Sequence, residues 1–236
     1  MGFEDIVEDL DKLKDPEKAR VLSRFFKTGK GEYGEGDIFL GIPVPLQRKI
    51  AKKYPDLSLD DVQRLLSSKI HEHRLVALLI LILKYRRLDG KGKREIFNFY
   101  LQNTSGINNW DLVDLSAQHI IGDYLLTRNR SLLQKLAESK NLWERRIAIM
   151  STFVFIRNQQ FEDTLRIAAM LMHDKHDLIH KAVGWMLREV GKRDVEQLEQ
   201  FLKKYSGEMP RTMLRYAIER FDESKRKAYL KQPVIS

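Results

Sequence analysis

A five-residue pattern recurs along this chain at intervals of about 35 residues, and a recurrence of that length leaves few folds open. The clear copies are Arg74-Leu75-Val76-Ala77-Leu78, Asp111-Leu112-Val113-Asp114-Leu115, Arg145-Arg146-Ile147-Ala148-Ile149 and Lys181-Ala182-Val183-Gly184-Trp185. A fainter fifth is Leu214-Arg215-Tyr216-Ala217-Ile218. The fourth column reads Ala77, Asp114, Ala148, Gly184, Ala217. Small residues at a recurring helical position imply that something packs close by. An acid in that column is costly unless it has a partner or a task. Asp114 is therefore the first candidate functional residue.

Hydrophobic spacing is helical nearly throughout. Long apolar helices (70–86, 108–126, 143–157, 177–191) are expected to alternate with shorter ones (91–101, 129–138, 160–172, 194–204). Start signals agree: Asp15 precedes Pro16, Ser58 stands before Asp61, and Asn141 before Glu144, the patterns of helix caps and capping boxes. Convincing strand alternation is absent. Two helices per unit at this period predict an all-α fold, an α-solenoid of HEAT-like hairpin repeats. Gly and Pro are sparse and no low-complexity linker appears, so residues 1–236 read as one continuous domain. Such stacks curve and offer a concave surface to an extended ligand.

Charge suggests what that ligand is. The chain carries 42 basic and 33 acidic residues, a net +9, which favours a polyanionic partner. The pattern puts Arg74, Arg145 and Lys181 in one column and Arg146 and Arg215 in the next. Equivalent positions line up along a stack, so these cations are expected to form a stripe suited to phosphates. A solvated basic face is the plainer reading of the same residues.

Several classes are excluded. With no cysteine, disulfides, thiolate metal sites and a cysteine nucleophile are impossible. The acidic start has no apolar run behind it and does not resemble a secretory signal. The longest apolar run, Leu75 to Leu83, is nine residues, too short to cross a bilayer. The expectation is a soluble cytoplasmic protein with no membrane partner. Gly29-Lys30-Gly31-Glu32-Tyr33-Gly34 matches a dinucleotide pattern by letters but follows a helix and carries acids, so residues 28–42 read as a structured loop, open to a ligand through Tyr33. His173, His176 and His180 have loose metal-like spacing, yet their neighbours Asp174 and Asp177 are ordinary turn and cap residues; no metal and no cofactor are expected.

Trp110 and Asp114 are four apart and share one helix face. An indole beside a carboxylate suits a developing cation. The competing reading makes Trp110 core and gives Asp114 a neighbouring arginine. Trp185 stands where other copies carry Leu78, Leu115, Ile149 and Ile218, which favours packing but leaves its edge free to project. Arg188 lies beside it, three residues on.

Asn109-Trp110-Asp111-Leu112-Val113-Asp114-Leu115 with Gly122-Asp123-Tyr124-Leu125 resembles the core signature of the bacterial AlkD-type DNA alkylation repair family. So do Trp143-Glu144-Arg145-Arg146-Ile147-Ala148, the stretch from Ile179 to Glu189, the loop from Gly31 to Ile42, and the ending from Met209 to Ala217. The resemblance covers almost the whole chain. It implies a HEAT-like-repeat DNA glycosylase that releases cationic N3- or N7-alkylated purines from double-stranded DNA while the lesion stays stacked, unlike enzymes that flip the base. It further implies that Asp114 is the catalytic acid, that Trp110 and Trp185 line the groove, and that Arg146 reaches the DNA backbone. Family members often carry Tyr near the position of Phe25, so this chain lacks a hydroxyl there.

The chemistry fits. A cationic alkylpurine is already a good leaving group, and charge moves onto the deoxyribose as the bond stretches. A fixed carboxylate would stabilise that charge. The expected enzyme is an elongated monomer of the monofunctional glycosylase type. The competing function is a catalytically silent helical scaffold that binds distorted or branched DNA or a protein, since fold does not fix function.

Overall fold

The computed structural model describes residues 2–231; position 1 and positions 232–236 of the expected domain lie outside the described residues. Every regular element among the described residues is helical, apart from one isolated parallel bridge between Ile38 and Ile70. The chain divides into two compact units, Met1–Ser116 and Ala117–Ser236. The all-α helical-repeat fold expected from the pattern is the one observed.

The first unit holds α1 (Phe3–Asp11), α2 (Pro16–Phe25), α3 (Val44–Lys53), α4 (Leu59–Leu66), α5 (His71–Arg87), α6 (Gly90–Gln102) and the start of α7 (Trp110–Ala117). Helix α5 is its axis: it packs against α3, α4 and α6 and buries every residue from His71 to Ile82. That explains an apolar run with no polar face, since a helix covered on all sides needs none. The caps expected from sequence form where the hydroxyl or carboxylate can reach. Asp15 accepts from the amides of Glu17 and Lys18, and Ser58 accepts from Asp61 N at 3.1 Å.

A loop from Phe26 to Pro43 joins α2 to α3. It is pinned to the start of α5 by Glu72, whose buried carboxylate accepts from the amides of Leu40 and Gly41 at 2.9 Å and Ile42 at 3.2 Å. Gly41 has φ +86°, and a Cβ there would sit 2.2 Å from Asp15 O. Only glycine allows the loop to lie this close to the start of α2.

The second unit opens with a π-helical turn (Gln118–Gly122) and α8 (Asp123–Leu125), then α9 (Ser131–Ala137), α10 (Leu142–Ser151) and α11 (Phe153–Arg157). Helices α12 (Glu162–Met170), α13 (Asp177–Gly191), α14 (Val195–Tyr205), α15 (Arg211–Ala217) and α16 (Glu223–Lys231) follow. Asn141 caps α10 through Trp143 N at 2.8 Å, but Glu144 accepts from Ser139 Oγ at 2.6 Å instead of closing a capping box.

The small-residue column has a steric meaning. Ala77, Ala148 and Ala217 are buried, and Gly184 on α13 lies against α15: a Cβ at 184 would meet Met213 O and Tyr216 Cβ, each at 2.5 Å. Within the pattern, Asp114 is the column's half-buried member, while Asp111, Leu112 and Val113 beside it are buried.

Gly184→Ala tests the close approach. Alanine would gain about 1 kcal/mol in an unobstructed helix, whereas forcing a methyl into a filled site costs about 1–3 kcal/mol. The urea midpoint is expected to fall; a raised midpoint would mean α13 and α15 do not touch at this residue.

Candidate functional site

The first unit brings Asp114, Trp110 and Phe25 into one neighbourhood. Asn109 opens α7 by accepting from Trp110 N through its side-chain oxygen at 2.8 Å. Helical spacing then carries Asp114 one turn beyond Trp110 on the same face. Trp110 is half-buried, with its ring stacked on Phe26 at 5.0 Å between centroids and 18° between planes. Phe25, 61% exposed, meets the same indole edge-on at 5.8 Å. Asp114 is half-buried on its helix, and its charge reaches the Tyr100 phenol. Burial pushes that phenol above its ordinary range; Asp114 adds to the push, and the Ser116 hydroxyl, 2.8 Å from it, pulls the other way.

Behind Trp110 the stack continues inward. Phe26 lies on Phe39 at 5.0 Å and 20°, and Phe39 lies on His71 at 4.5 Å and 22°. The imidazole of His71 is 2% exposed and bridges two acids: Nε2 donates to Asp111 Oδ2 at 2.8 Å and Nδ1 to Asp37 Oδ2 at 3.2 Å. Asp37 also accepts from Arg74 Nη2 at 2.7 Å and Asn109 Nδ2 at 3.1 Å. Arg74 donates in addition to Ser68 O at 2.8 Å.

The cluster therefore holds two carboxylates, one guanidinium and one imidazole. Burial alone would lower the His71 pKa, but the bond to Asp111, the Asp111 charge and the bond to Asp37 overcome it and hold the value near 9, raised from 6.5. Burial would raise Asp37, but His71, Arg74 and Asn109 outweigh it and leave the carboxyl below its ordinary range. A raised histidine gives stability that is fully present below 6.5 and lost as pH rises through about 9. A lowered aspartate gives stability present above its ordinary value and lost on acidification. Between those limits the cluster is charge-balanced.

Arg74 requires a correction. It was expected to face solvent in a cationic stripe, yet it is 3% exposed and paired with Asp37 inside the first unit. A guanidinium on an axis helix packed on every side can only meet a buried counter-charge.

The second unit holds the remaining candidates. Arg146 is 5% exposed, and Nη1 donates to Leu178 O at 2.5 Å, tying α10 to the first turn of α13. Arg145 is half-buried on Asp174 at 2.5 Å. Lys181 has a side chain 42% exposed and pairs with Asp177 at 2.7 Å, one turn back on the same helix. Arg215 is exposed. Arg188 is half-buried against Glu219 and near Glu189, around which Lys192 (2.6 Å) and Arg193 (3.2 Å) also gather. Burial would raise the Glu189 carboxyl; these cations hold it low. Trp185 is half-buried, its ring 6.1 Å from Phe153, whereas Leu78, Ile149 and Ile218 at the same column position are buried.

The candidate metal and nucleotide residues have other duties. His176 Nδ1 accepts from Leu178 N at 3.2 Å, and His180 Nε2 meets Asp174 O at 2.5 Å. In the glycine-rich loop, Gly29 N donates to Glu32 and Gly31 N to Glu35 at 2.9 and 2.8 Å. Carboxylates of the loop itself thus occupy amides that a phosphate would need. Tyr33 bonds weakly to Phe25 O at 3.4 Å.

Sequence reasoning missed Asp37, His71, Asn109 and Asp111, and the contacts of Phe26 and Phe39. One signal was available: the first column reads Arg74, Asp111, Arg145, Lys181, so Asp111 inverts the charge of its column and asks for a cation. Nothing in the spacing identifies His71 as that cation.

The chain matches the family described as DNA alkylation repair enzyme over residues 6–221. Among solved structures, it is similar to a predicted DNA alkylation repair enzyme from Enterococcus faecalis, with TM-score 0.68 and 18% identity over 89% of this chain and 97% of that one. It is also similar to AlkD2 from Streptococcus mutans, with TM-score 0.54 and 17% identity over 88% of this chain and 99% of that one. Among curated proteins none matches the sequence.

Arg74→Met separates a buried pair from a surface contact. Losing a buried partner costs about 3–5 kcal/mol because two buried carboxylates are left to share one imidazolium, while surface changes stay within about 0.5 kcal/mol. Denaturant unfolding is expected to show the larger loss; a change within the surface range would return Arg74 to the solvent-facing set.

Proposed function

The chain belongs to the DNA alkylation repair enzyme family, and from that premise we propose that it is a DNA glycosylase acting on cationic N3- and N7-alkylated purines in duplex DNA. The observation that carries this reading is Asp114: an acid in a column of buried small residues, half-buried on α7, one turn from a half-buried tryptophan.

In the proposed reaction the C1′–N bond breaks and its electron pair leaves with the base, cancelling the positive charge that alkylation placed there. The sugar becomes an oxocarbenium-like cation. Asp114 stabilises that cation through space and orients the water whose oxygen forms the new bond to C1′; the water's proton passes to solvent through the carboxylate. Trp110 offers its π-system to the same charge, and its ring is held for that role by Phe26 on one face and the edge of Phe25. An uncharged lesion is a poor substrate, because no strong acid is supplied to protonate its base. Trp185 in the second unit is assigned to the sugar–phosphate backbone.

Phosphate contacts fall to the cations that water reaches, Lys181 and Arg215. The Lys181–Asp177 pair is exposed and of the one-turn kind worth about 0.3–0.5 kcal/mol. Exchanging Asp177 for a phosphate therefore costs little.

Mass spectrometry of bases released from methylated duplex DNA is expected to detect 7-methylguanine and 3-methyladenine, and Asp114→Asn is expected to slow release by about 10²–10³. Equal release by variant and parent would overturn the assignment, and no release by either would favour a silent DNA-binding scaffold. Lys181→Ala is expected to weaken DNA binding and to lower the slope of log affinity against log salt by about 1; an unchanged slope removes Lys181 from the interface.

A further inference from the structure

His71 takes part in no step proposed above, yet two independent routes connect it to Trp110. One is covalent and polar: His71 holds Asp111, the residue that follows Trp110 in the chain, while Asp37 holds Asn109, the residue before it, at 3.1 Å. The other is the ring stack His71–Phe39–Phe26–Trp110, with each step between 4.5 and 5.0 Å. The backbone at the start of α7 and the indole it carries are thus gripped from one buried point.

We propose that His71 is a positioning residue: through Asp111 on one side and the Phe39–Phe26 stack on the other, it fixes the Trp110 ring and the face of α7 that bears Asp114. The inference rests on the glycosylase reading only for its effect on rate; the clamp itself stands on contacts within the first unit.

The geometry requires both imidazole nitrogens to donate, because each faces a carboxylate oxygen. A neutral imidazole has one N–H and one lone pair, so a neutral ring would turn a lone pair toward Asp37 or Asp111. The charged groups around the ring are Asp37 from the loop, Asp111 from α7 and Arg74 from its own helix; Glu72, next to it on α5, is turned to the loop amides. Loss of the His71 proton leaves one guanidinium facing two buried carboxylates. Arg74 and Asn109 still hold Asp37, so the neutral ring keeps its proton on Nε2 toward Asp111 at 2.8 Å. Asp37, the anchor of Asn109, is released from the imidazole. The consequence falls on the start of α7. With the histidine held up near 9, this release occurs in alkali and the clamp is closed at neutral pH.

The test uses the three tryptophans of the chain. Replacing Trp143 and Trp185 by Phe leaves Trp110 as the reporter, and its emission is followed from about pH 6 to 11 with circular dichroism to confirm folding. One transition near pH 9 is expected in this background, and His71→Gln is expected to abolish it, because glutamine does not titrate. In the otherwise unaltered chain, His71→Gln is expected to lower kcat for 7-methylguanine release about ten- to a hundredfold, the scale of a small misplacement of reacting groups, with KM within about twofold.

Emission that is flat through pH 9 in the parent background overturns the proposal, as does a transition that survives His71→Gln. Should His71→Gln not fold, the parent titration decides alone, and His71→Gln with Asp111→Asn supplies a neutral hydrogen-bonded pair expected to fold without the transition. A titration seen in a protein that releases no base would sink the glycosylase reading and leave the clamp. Base release without the titration would do the reverse.

Discussion

A charge taken out of water must find its opposite, and in the first unit that requirement sets where the start of α7 lies. Asp37, Arg74, His71 and Asp111 come from the loop, from α5 and from α7, and none of them could be buried without the others. Their mutual neutralisation fixes the loop against the start of α5 and the start of α7 against both. Glu72 repeats the logic with three backbone amides instead of side chains. The aromatic residues Phe26, Phe39 and Trp110 then pack on a frame that is already set. Trp110 is held in place by electrostatics at one remove.

The fold was legible because helical hairpins write themselves into a sequence as a period, and the period survives whatever the loops do. Helix α13 spans Asp177–Gly191, the range its spacing predicts, and the caps at Asp15, Ser58 and Asn141 form through the side chains that announced them. The small-residue column was legible for a steric reason, as Gly184 against α15 shows. What period cannot convey is direction in three dimensions. The loop from Phe26 to Pro43 has no period, so its contribution of Asp37 and Phe39 was invisible, whereas its conspicuous aromatic, Tyr33, reaches Phe25 O at 3.4 Å.

The cation stripe failed in part for a related reason. A column aligns residues along successive helices but says nothing about what covers each helix. Arg74 and Lys181 occupy the same column, yet α5 is enclosed by α3, α4 and α6 while Lys181 meets water. The same letter in the same register is a buried structural charge in one copy and a solvated one in another. Column-one residues Arg74, Arg145 and Lys181 do share one habit, an aspartate partner at 2.5–2.7 Å. Asp111, the inverted member, keeps the habit with the signs exchanged, taking His71. Pairing at this position is the rule of the repeat, and exposure is what varies.

Asp111 and Asp114 show how far that distinction carries into chemistry. They lie three residues apart in one helix, and both are acids where the other clear copies of the pattern carry a cation or a small residue. Asp111 is buried and committed to His71, so its charge is already spent on a partner that does not leave. Asp114 is half-buried on the Trp110 face of the helix, where its carboxylate keeps some access to water. In the proposed reaction a carboxylate serves a developing cation best when it is fixed in place before that charge appears. On the proposed reading two acids of one motif divide the work: the inner one sets the position of the helix, and the outer one faces the charge that develops on the sugar.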